Sequence, residues 1–82
     1  MPRPEDELAR AFGEVLRKAR QEARLSQEEL AARSGLHRTY ISQFERGQKS
    51  PSLTVVAGLA RSLGLTASEL VGAAEEALGL EG

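Results

Sequence analysis

The chain has 82 residues, of which 28% are charged and 4% aromatic, with no cysteine and a single histidine, His37. This length predicts one small domain, 1–82, with little room for an enzyme cleft, and the lack of cysteine excludes disulfides and thiolate metal sites and favours the cytoplasm. The formal net charge of −1 argues, on average, against a nucleic-acid-binding protein, because such proteins usually carry a basic excess.

The composition favours helix, since Ala, Leu, Glu and Arg are abundant and β-branched residues are scattered. Over residues 5–24 the apolar side chains recur at spacings of three and four, which predicts a long amphipathic first helix. These side chains are Leu8, Phe12, Val15, Leu16, Ala19 and Ala23. Pro2 and Pro4 come before this stretch, so residues 1–5 are expected to form a flexible tail.

Residues 25–30, Leu-Ser-Gln-Glu-Glu-Leu, carry the clearest helix start in the chain. Ser26 can cap the first backbone amides of a helix, and Glu29 can reach back to the amide of Ser26. The second helix is therefore predicted to begin at about Gln27. It is predicted to end at Gly35, because glycine readily adopts the left-handed conformation that terminates a helix.

A third helix is predicted to follow almost at once and to end at Gly47. Its buried side carries Leu36, Ile41 and Phe44. Two helices joined by a short turn that contains glycine are typical of a helix-turn-helix, which here spans residues 26–46.

The last part of the chain predicts two more helices. Pro51 and Ser52 lead into a fourth, which Gly64 ends, and Thr66 with Glu69 repeats the capping pattern at the start of a fifth. The apolar positions of the fourth helix are Leu53, Val56, Ala57, Ala60 and Leu63, and those of the fifth are Leu70, Val71, Ala74, Ala77 and Leu78. The predicted fold is all-α, a compact five-helix bundle that contains a helix-turn-helix.

The stretch 25–53 reads LSQEELAARSGLHRTYISQFERGQKSPSL. It resembles the helix-turn-helix of the XRE family, the Cro and lambda-repressor-like transcription factors, in its Ser-Gln-Glu-Glu-Leu-Ala start, the glycine of the turn, the Ile-Ser-x-x-Glu-x-Gly helix end and the following Pro-Ser. The piece 37–42, His-Arg-Thr-Tyr-Ile-Ser, is most similar to the controller proteins of restriction-modification systems. The resemblance implies a lambda-repressor-like DNA-binding domain and a transcriptional regulator that binds a (pseudo)palindromic operator as a homodimer.

A recognition helix reads double-stranded DNA by placing the side chains of its first two turns in the major groove. In this chain that helix is predicted at about 37–46, and its base-contacting residues are expected to be Arg38, Thr39, Tyr40 and Gln43. Arg38 can donate two hydrogen bonds to the O6 and N7 atoms of guanine, Thr39 can contact a thymine methyl group, and Gln43 can form hydrogen bonds with adenine. The Tyr40 ring could instead pack on the helix and offer only its hydroxyl group to a phosphate.

Phosphate contacts set affinity and register, and they favour helix N-termini and basic loops. The expected phosphate-contacting residues are Gln27, His37, Ser42, Arg46 and Lys49. For Gln27 the resemblance implies this role. His37 departs from the family, which usually has Asp, Ser or Thr at this helix cap, and histidine caps a helix poorly.

Two further groups of residues are expected to be structural. The resemblance implies that Arg20 and Glu45 form a salt bridge that fixes the recognition helix on the first helix. The segment 66–80 is expected to serve as a dimerisation helix, because it offers more apolar surface than a small core can absorb. The interface residues are expected to be Leu70, Val71, Ala74, Leu78 and Leu80; the alternative is that they only close the core.

The charges are unevenly distributed along the chain. Residues 1–29 hold six basic and seven acidic side chains, residues 30–61 hold five basic ones and only Glu45, and residues 62–82 hold four acidic ones and no basic one. The basic part is the helix-turn-helix with the loop after it, so the average charge hides a polarity that favours DNA binding.

Other functions fit the sequence less well. A protein-interaction or antitoxin-like module with the same fold is the main alternative, and the acidic C-terminal part favours it. An enzyme is not expected, because the chain has no convergent histidine, cysteine or paired carboxylates. No cofactor, metal or small-molecule ligand is evident. No membrane span is expected, because the longest apolar run, 53–60, is short and interrupted.

Overall fold

The computed structural model describes the backbone of residues 4–79 and the side chains of residues 7–79. This part of the chain forms five α-helices and no strand. The helices are α1 (Pro4–Glu22), α2 (Gln27–Ser34), α3 (Arg38–Glu45), α4 (Leu53–Ser62) and α5 (Ala67–Ala77). The predicted all-α fold with five helices is confirmed.

The ends of α1 differ from the prediction. The helix begins at Pro4, inside the segment 1–5 that was expected to form a flexible tail. Proline is tolerated in the first turn of a helix, where its missing N–H would have had no partner. The helix ends at Glu22, because Arg24 takes a left-handed conformation, φ 60°, and the Leu25 amide donates back to the Arg20 carbonyl at 3.1 Å.

The short helices are fixed by local contacts that lie where the sequence predicts them. At the start of α2, the Glu29 amide donates to Ser26 Oγ at 3.0 Å and the Ser26 amide donates to Glu29 Oε1 at 2.9 Å. The capping box is repeated at the start of α5 by Thr66 and Glu69. Gly35 ends α2 with φ 72°, a conformation that glycine adopts without strain.

Each helix contributes one large, fully buried aliphatic side chain to the core. These side chains are Leu16, Leu30, Ile41, Leu59 and Leu70. The sequence pattern had not placed Leu59 on the apolar side of α4, and it had placed Leu53 there wrongly. Leu53 is 80% exposed, because it is the first residue of α4 and lies almost one turn before Val56, the first buried residue of this helix.

Helix α1 is the support on which the helix-turn-helix rests. It packs against α5 and α3, while α2 packs against α3 and α4. At Gly13 the two backbones approach so closely that an added Cβ atom would collide with the carbonyl oxygens of Phe44 and Glu45, the latter at 2.7 Å. The C-terminal end of α3 therefore lies directly on the backbone of α1.

No single helix within residues 4–79 is long and apolar enough to cross a membrane. Only α4 and α5 taken together have the length and composition, and they meet at a bend of 103°. The buried side chains of this pair, among them Leu59 and Leu70, belong to the core.

Candidate nucleic-acid interface

Helix α3 exposes its first turn and buries the opposite side. Arg38, Thr39 and Tyr40 are exposed, whereas Ile41 and Phe44 are buried in the core. Gln43, one turn after Thr39, is half-buried. The four residues expected to contact bases thus lie on the outward-facing part of the helix or at its border.

A bidentate ion pair fixes the other end of α3. Arg20 Nε donates to Glu45 Oε2 at 2.6 Å, and Arg20 Nη2 donates to Glu45 Oε1 at 3.1 Å. The side chains are only 12% and 4% exposed, so water competes little with these bonds. The hydrogen bonds to Glu45 raise the pKa of the Arg20 guanidinium against the opposing effect of burial. The pair predicted between α1 and the third helix is present.

Arg20 and Glu45 also form hydrogen bonds with the residues at the start of α2. Arg20 Nη1 donates to the carbonyl oxygen of Leu25 at 2.8 Å, and Gln27 Nε2 donates to Glu45 Oε1 at 3.1 Å. The guanidinium and the carboxylate therefore tie α1, α2 and α3 together. One N–H of the Gln27 amide is used in this way, which leaves its second N–H for a phosphate, the role expected from the resemblance.

Ser42 and Arg46 are paired on the surface of α3. Arg46 Nη2 donates to Ser42 Oγ at 2.7 Å, one turn apart along the helix. Ser42 was expected to contact a phosphate itself. In the structure its hydroxyl oxygen accepts from the arginine and thereby orients a cation.

A row of aromatic rings leads from the exposed N-cap of α3 to the buried Phe44. The Tyr40 ring lies 6.4 Å from the His37 ring and 6.3 Å from the Phe44 ring, measured between centroids. Lys49 comes back over this row, with Nζ 5.3 Å from the centroid of Tyr40. His37 occupies the N-cap of α3, where, within the described part of the chain, its side chain makes no capping hydrogen bond.

The charges around α3 are predominantly positive. Arg38, Arg46 and Lys49 are exposed on the helix and on the loop after it. Glu45, the one acidic residue of the segment 30–61, is neutralised by Arg20. The first turn of α3 and the loop after it thus offer a polyanion three exposed cations, as the uneven charge distribution of the sequence indicated.

The expected dimer interface is wrong in two of its residues. Leu70 and Ala74 are 1% and 0% exposed, because α5 turns them into the core against the other helices, and so they offer no surface to a partner. Val71 and Leu78 are half-buried and keep part of their surface. Leu80 lies outside the described residues.

Three contacts at or beneath this surface were not predicted from the sequence. They are the close backbone approach at Gly13, the bond from Gln27 to Glu45, and the ammonium of Lys49 over the Tyr40 ring. A glycine in the middle of an otherwise good helix was the available signal for the first, since it costs helix stability unless close packing needs it. The other two join residues whose proximity depends on how the helices pack.

Comparison with known proteins identifies the family. The sequence pattern of the helix-turn-helix family matches residues 16–70. The HTH-type transcriptional regulator y4dJ of Sinorhizobium fredii is 36% identical over 70 residues, which cover 85% of this chain and 91% of the relative. Control protein C.MunI of a Mycoplasma species is 45% identical over 60 residues, covering 72% and 81% of the two chains.

A solved structure agrees with these relatives. The restriction-modification controller protein C.AhdI from Aeromonas hydrophila superposes with a TM-score of 0.74 at 44% identity, over 76% of this chain and 94% of that chain. These proteins are regulators and control proteins by name, in agreement with the expectation that the chain is not an enzyme. The chain belongs to the XRE family of helix-turn-helix transcriptional regulators.

Proposed function

We propose that the protein is a sequence-specific regulator that inserts α3, about residues 37–46, into the major groove of double-stranded DNA. The observation that carries this proposal is the arrangement of α3 itself. Its first turn points outward with Arg38 and Thr39, while the Arg20–Glu45 pair clamps its last turn to α1. A rigidly held helix with an exposed polar first turn is what direct readout of base edges requires.

The side chains divide into two sets by their chemistry. Arg38 is assigned to a guanine, Thr39 to a thymine methyl group and Gln43 to an adenine. Gln27, His37, Ser42, Arg46 and Lys49 are assigned to the phosphate backbone, with Ser42 acting through its bond to Arg46. The net charge of +4 over residues 30–61 supports phosphate contacts, which cations strengthen, whereas base reading depends on hydrogen-bond donors and acceptors that match the base edges.

Selection of bound duplexes from random DNA, followed by affinity measurements on the selected site, tests the proposal. Arg38→Ala should cost about 1–3 kcal/mol on the selected site and relax the preference at one base pair. Arg17→Ala, which removes an exposed arginine of α1, is the matched control. It should change neither the affinity for the selected site nor the base preference. Equal losses on selected and random DNA for Arg38→Ala would contradict the assignment of base reading.

We further propose that the regulator binds a (pseudo)palindromic operator as a homodimer, since one helix in one groove specifies few bases. Two recognition helices would then meet half-sites about 34 Å apart. With Leu70 and Ala74 in the core, the interface is assigned to Val71, Leu78 and Leu53. Leu53 is included because it is the most exposed large aliphatic side chain among residues 7–79, at 80% exposure.

Sedimentation at micromolar concentration tests the dimer and its surface together. Leu53→Gln should weaken self-association, whereas Ala23→Gln, at an exposed site just after α1, should leave it unchanged. A wild-type chain that stays monomeric at these concentrations would refute the dimer, and a Leu53→Gln chain that dimerises as well as the wild type would refute the surface.

Residues 62–82 hold four acidic and no basic side chains, and this acidic segment favours one alternative function. The alternative is a protein-interaction or antitoxin-like module of the same fold in the cytoplasm. Gel retardation with the DNA upstream of the protein's own gene separates the two functions. A regulator retards that DNA at low protein concentration and at physiological salt. A pure interaction module does not.

A further inference from the structure

The ammonium group of Lys49 lies over the ring of Tyr40. Lys49 Nζ lies 5.3 Å from the ring centroid, within the distance over which the negative face of an aromatic ring attracts a cation. The ring is itself supported, because it stacks against the buried Phe44 at 6.3 Å with an angle of 25° between the planes. One side of the tyrosine thus rests on the core and the ring carries an ammonium group.

The turn after α3 brings the lysine to this position. Gly47 adopts φ 70°, and the Gln48 amide donates to the carbonyl oxygen of Gln43 at 2.9 Å, so the chain reverses over the end of the helix. An added Cβ atom at Gly47 would lie 2.9 Å from Arg10 Cα, so both the conformation and the space require glycine. The backbone therefore directs Lys49 back over α3, where the residue stays exposed.

A ring beneath the ammonium changes what the lysine can do for binding. A free surface lysine loses much side-chain entropy when it is fixed on a phosphate, whereas one already held near its final position loses less. The attraction at an exposed ring shifts the lysine rotamer population about two- to fivefold. Lys49 is exposed, so the ring does not bury the ammonium and leaves it accessible to a phosphate.

We infer that Tyr40 is a positioning residue, which orients Lys49 for the DNA backbone and does not itself read a base. This inference rests on the proposed DNA-binding function and deepens it. It resolves the choice that the sequence left open for this ring. It also parallels Ser42, whose hydroxyl orients Arg46 from the same helix. Base reading is thereby confined to Arg38, Thr39 and Gln43.

The contact can be measured first without DNA. In the free protein, the ring current of Tyr40 should shift the Lys49 side-chain methylene protons upfield in the NMR spectrum. Tyr40→Phe should keep this shift, because the ring remains, and Tyr40→Leu should abolish it. Circular dichroism of each variant confirms that it is folded. A wild-type spectrum in which the Lys49 methylene protons have random-coil positions overturns the inference.

DNA binding over a range of salt concentrations tests the role. Tyr40→Phe should bind selected and random duplexes as the wild type does. Tyr40→Leu should lose about two- to fivefold on both duplexes alike, and Lys49→Ala should reduce the salt slope by about one. In the double variant, Tyr40→Leu should add little to the loss caused by Lys49→Ala, since the two residues act as one unit.

Two results would overturn the role of Tyr40 while leaving the proposed function intact. The first is a selective loss on the selected duplex for Tyr40→Phe, which would show that the hydroxyl group reads a base. The second is fully additive losses in the double variant. By contrast, a wild-type chain that prefers no selected duplex over random DNA overturns the proposed function itself, and with it this inference.

Discussion

Arg20 and Glu45 lie 25 residues apart in the sequence and form two hydrogen bonds across the contact between α1 and α3. The carboxylate is almost completely buried, and in addition to Arg20 it accepts a bond from Gln27. A buried charge of this kind is tolerated because its partners replace the water that it loses. The last turn of α3 is therefore held on α1 by an arginine side chain in addition to the packing of its buried residues.

Replacement of Arg20 by methionine should reduce the free energy of unfolding by roughly 2–4 kcal/mol, because Glu45 would remain buried with only the Gln27 amide as a side-chain donor. Urea denaturation followed by circular dichroism measures this change. Arg17→Met removes an exposed arginine of the same helix and should change stability by less than about 0.5 kcal/mol. Similar losses for the two variants would show that the ion pair does not stabilise the fold.

The close approach at Gly13 predicts opposite effects for two glycine-to-alanine changes. Gly13→Ala should destabilise the protein by about 1–3 kcal/mol, because the new methyl group meets backbone carbonyls that cannot move independently of α3. Gly58 lies within α4 and has no atom within 4 Å of an added Cβ atom. Gly58→Ala should therefore stabilise by about 0.5–1 kcal/mol through helix propensity. Thermal unfolding of both variants measures these changes in stability. A Gly13→Ala chain as stable as the Gly58→Ala chain would contradict the described packing of α3 on α1.

The capping box of α2 predicts a pH dependence. The bonds from the amide and hydroxyl group of Ser26 lower the pKa of Glu29 below its ordinary value of 4.5, so the ionised form stabilises the folded state. This contribution is complete above pH 4.5 and is lost as the pH falls through the lowered pKa of the folded protein. Wild type should therefore be more stable than Glu29→Gln at neutral pH, and the difference should shrink below pH 4.5.

Urea titrations at a series of pH values measure this difference. Glu28→Gln removes a neighbouring exposed carboxylate from the same first turn without disturbing the bonds to Ser26, and it serves as the control. Its stability gap at neutral pH should be smaller than that of Glu29→Gln. A gap for Glu29→Gln that stays constant from pH 7 to pH 3 would be inconsistent with the described box.

The N-cap of α3 can be improved. His37 leaves the first amides of the helix without a side-chain acceptor among the described residues, whereas at α4 the Val55 amide donates to Ser52 Oγ at 3.2 Å. His37→Ser should raise the free energy of unfolding by about 1 kcal/mol, and Ser52→Ala should lower it by a similar amount. Differential scanning calorimetry of the two variants measures the expected gain for His37→Ser and the expected loss for Ser52→Ala. A lower stability for His37→Ser would indicate that the imidazole supports α3 through its contact with Tyr40.

The sequence predicted well those features that depend on neighbouring residues. Contacts within a few residues fix the start of α2 at Gln27 and its left-handed end at Gly35. They also fix the capping boxes at Ser26 and Thr66. Predictions from the apolar pattern failed where distant helices decide, and the Arg20–Glu45 pair was expected only from the family resemblance. Leu53 and Leu70 look alike in the sequence, yet one is exposed and the other buried, because burial depends on which neighbour covers each position.

The sequence by itself thus determined the five helices, the helix-turn-helix and the concentration of basic side chains in residues 30–61. Only the tertiary structure decided which residues of different elements come into contact. The bond from Gln27 to Glu45, the approach of Gly13 to the end of α3 and the ammonium of Lys49 over Tyr40 join residues from different elements. Local propensity and periodicity specify a helix and its faces, but the distances between helices arise only when their side chains pack together.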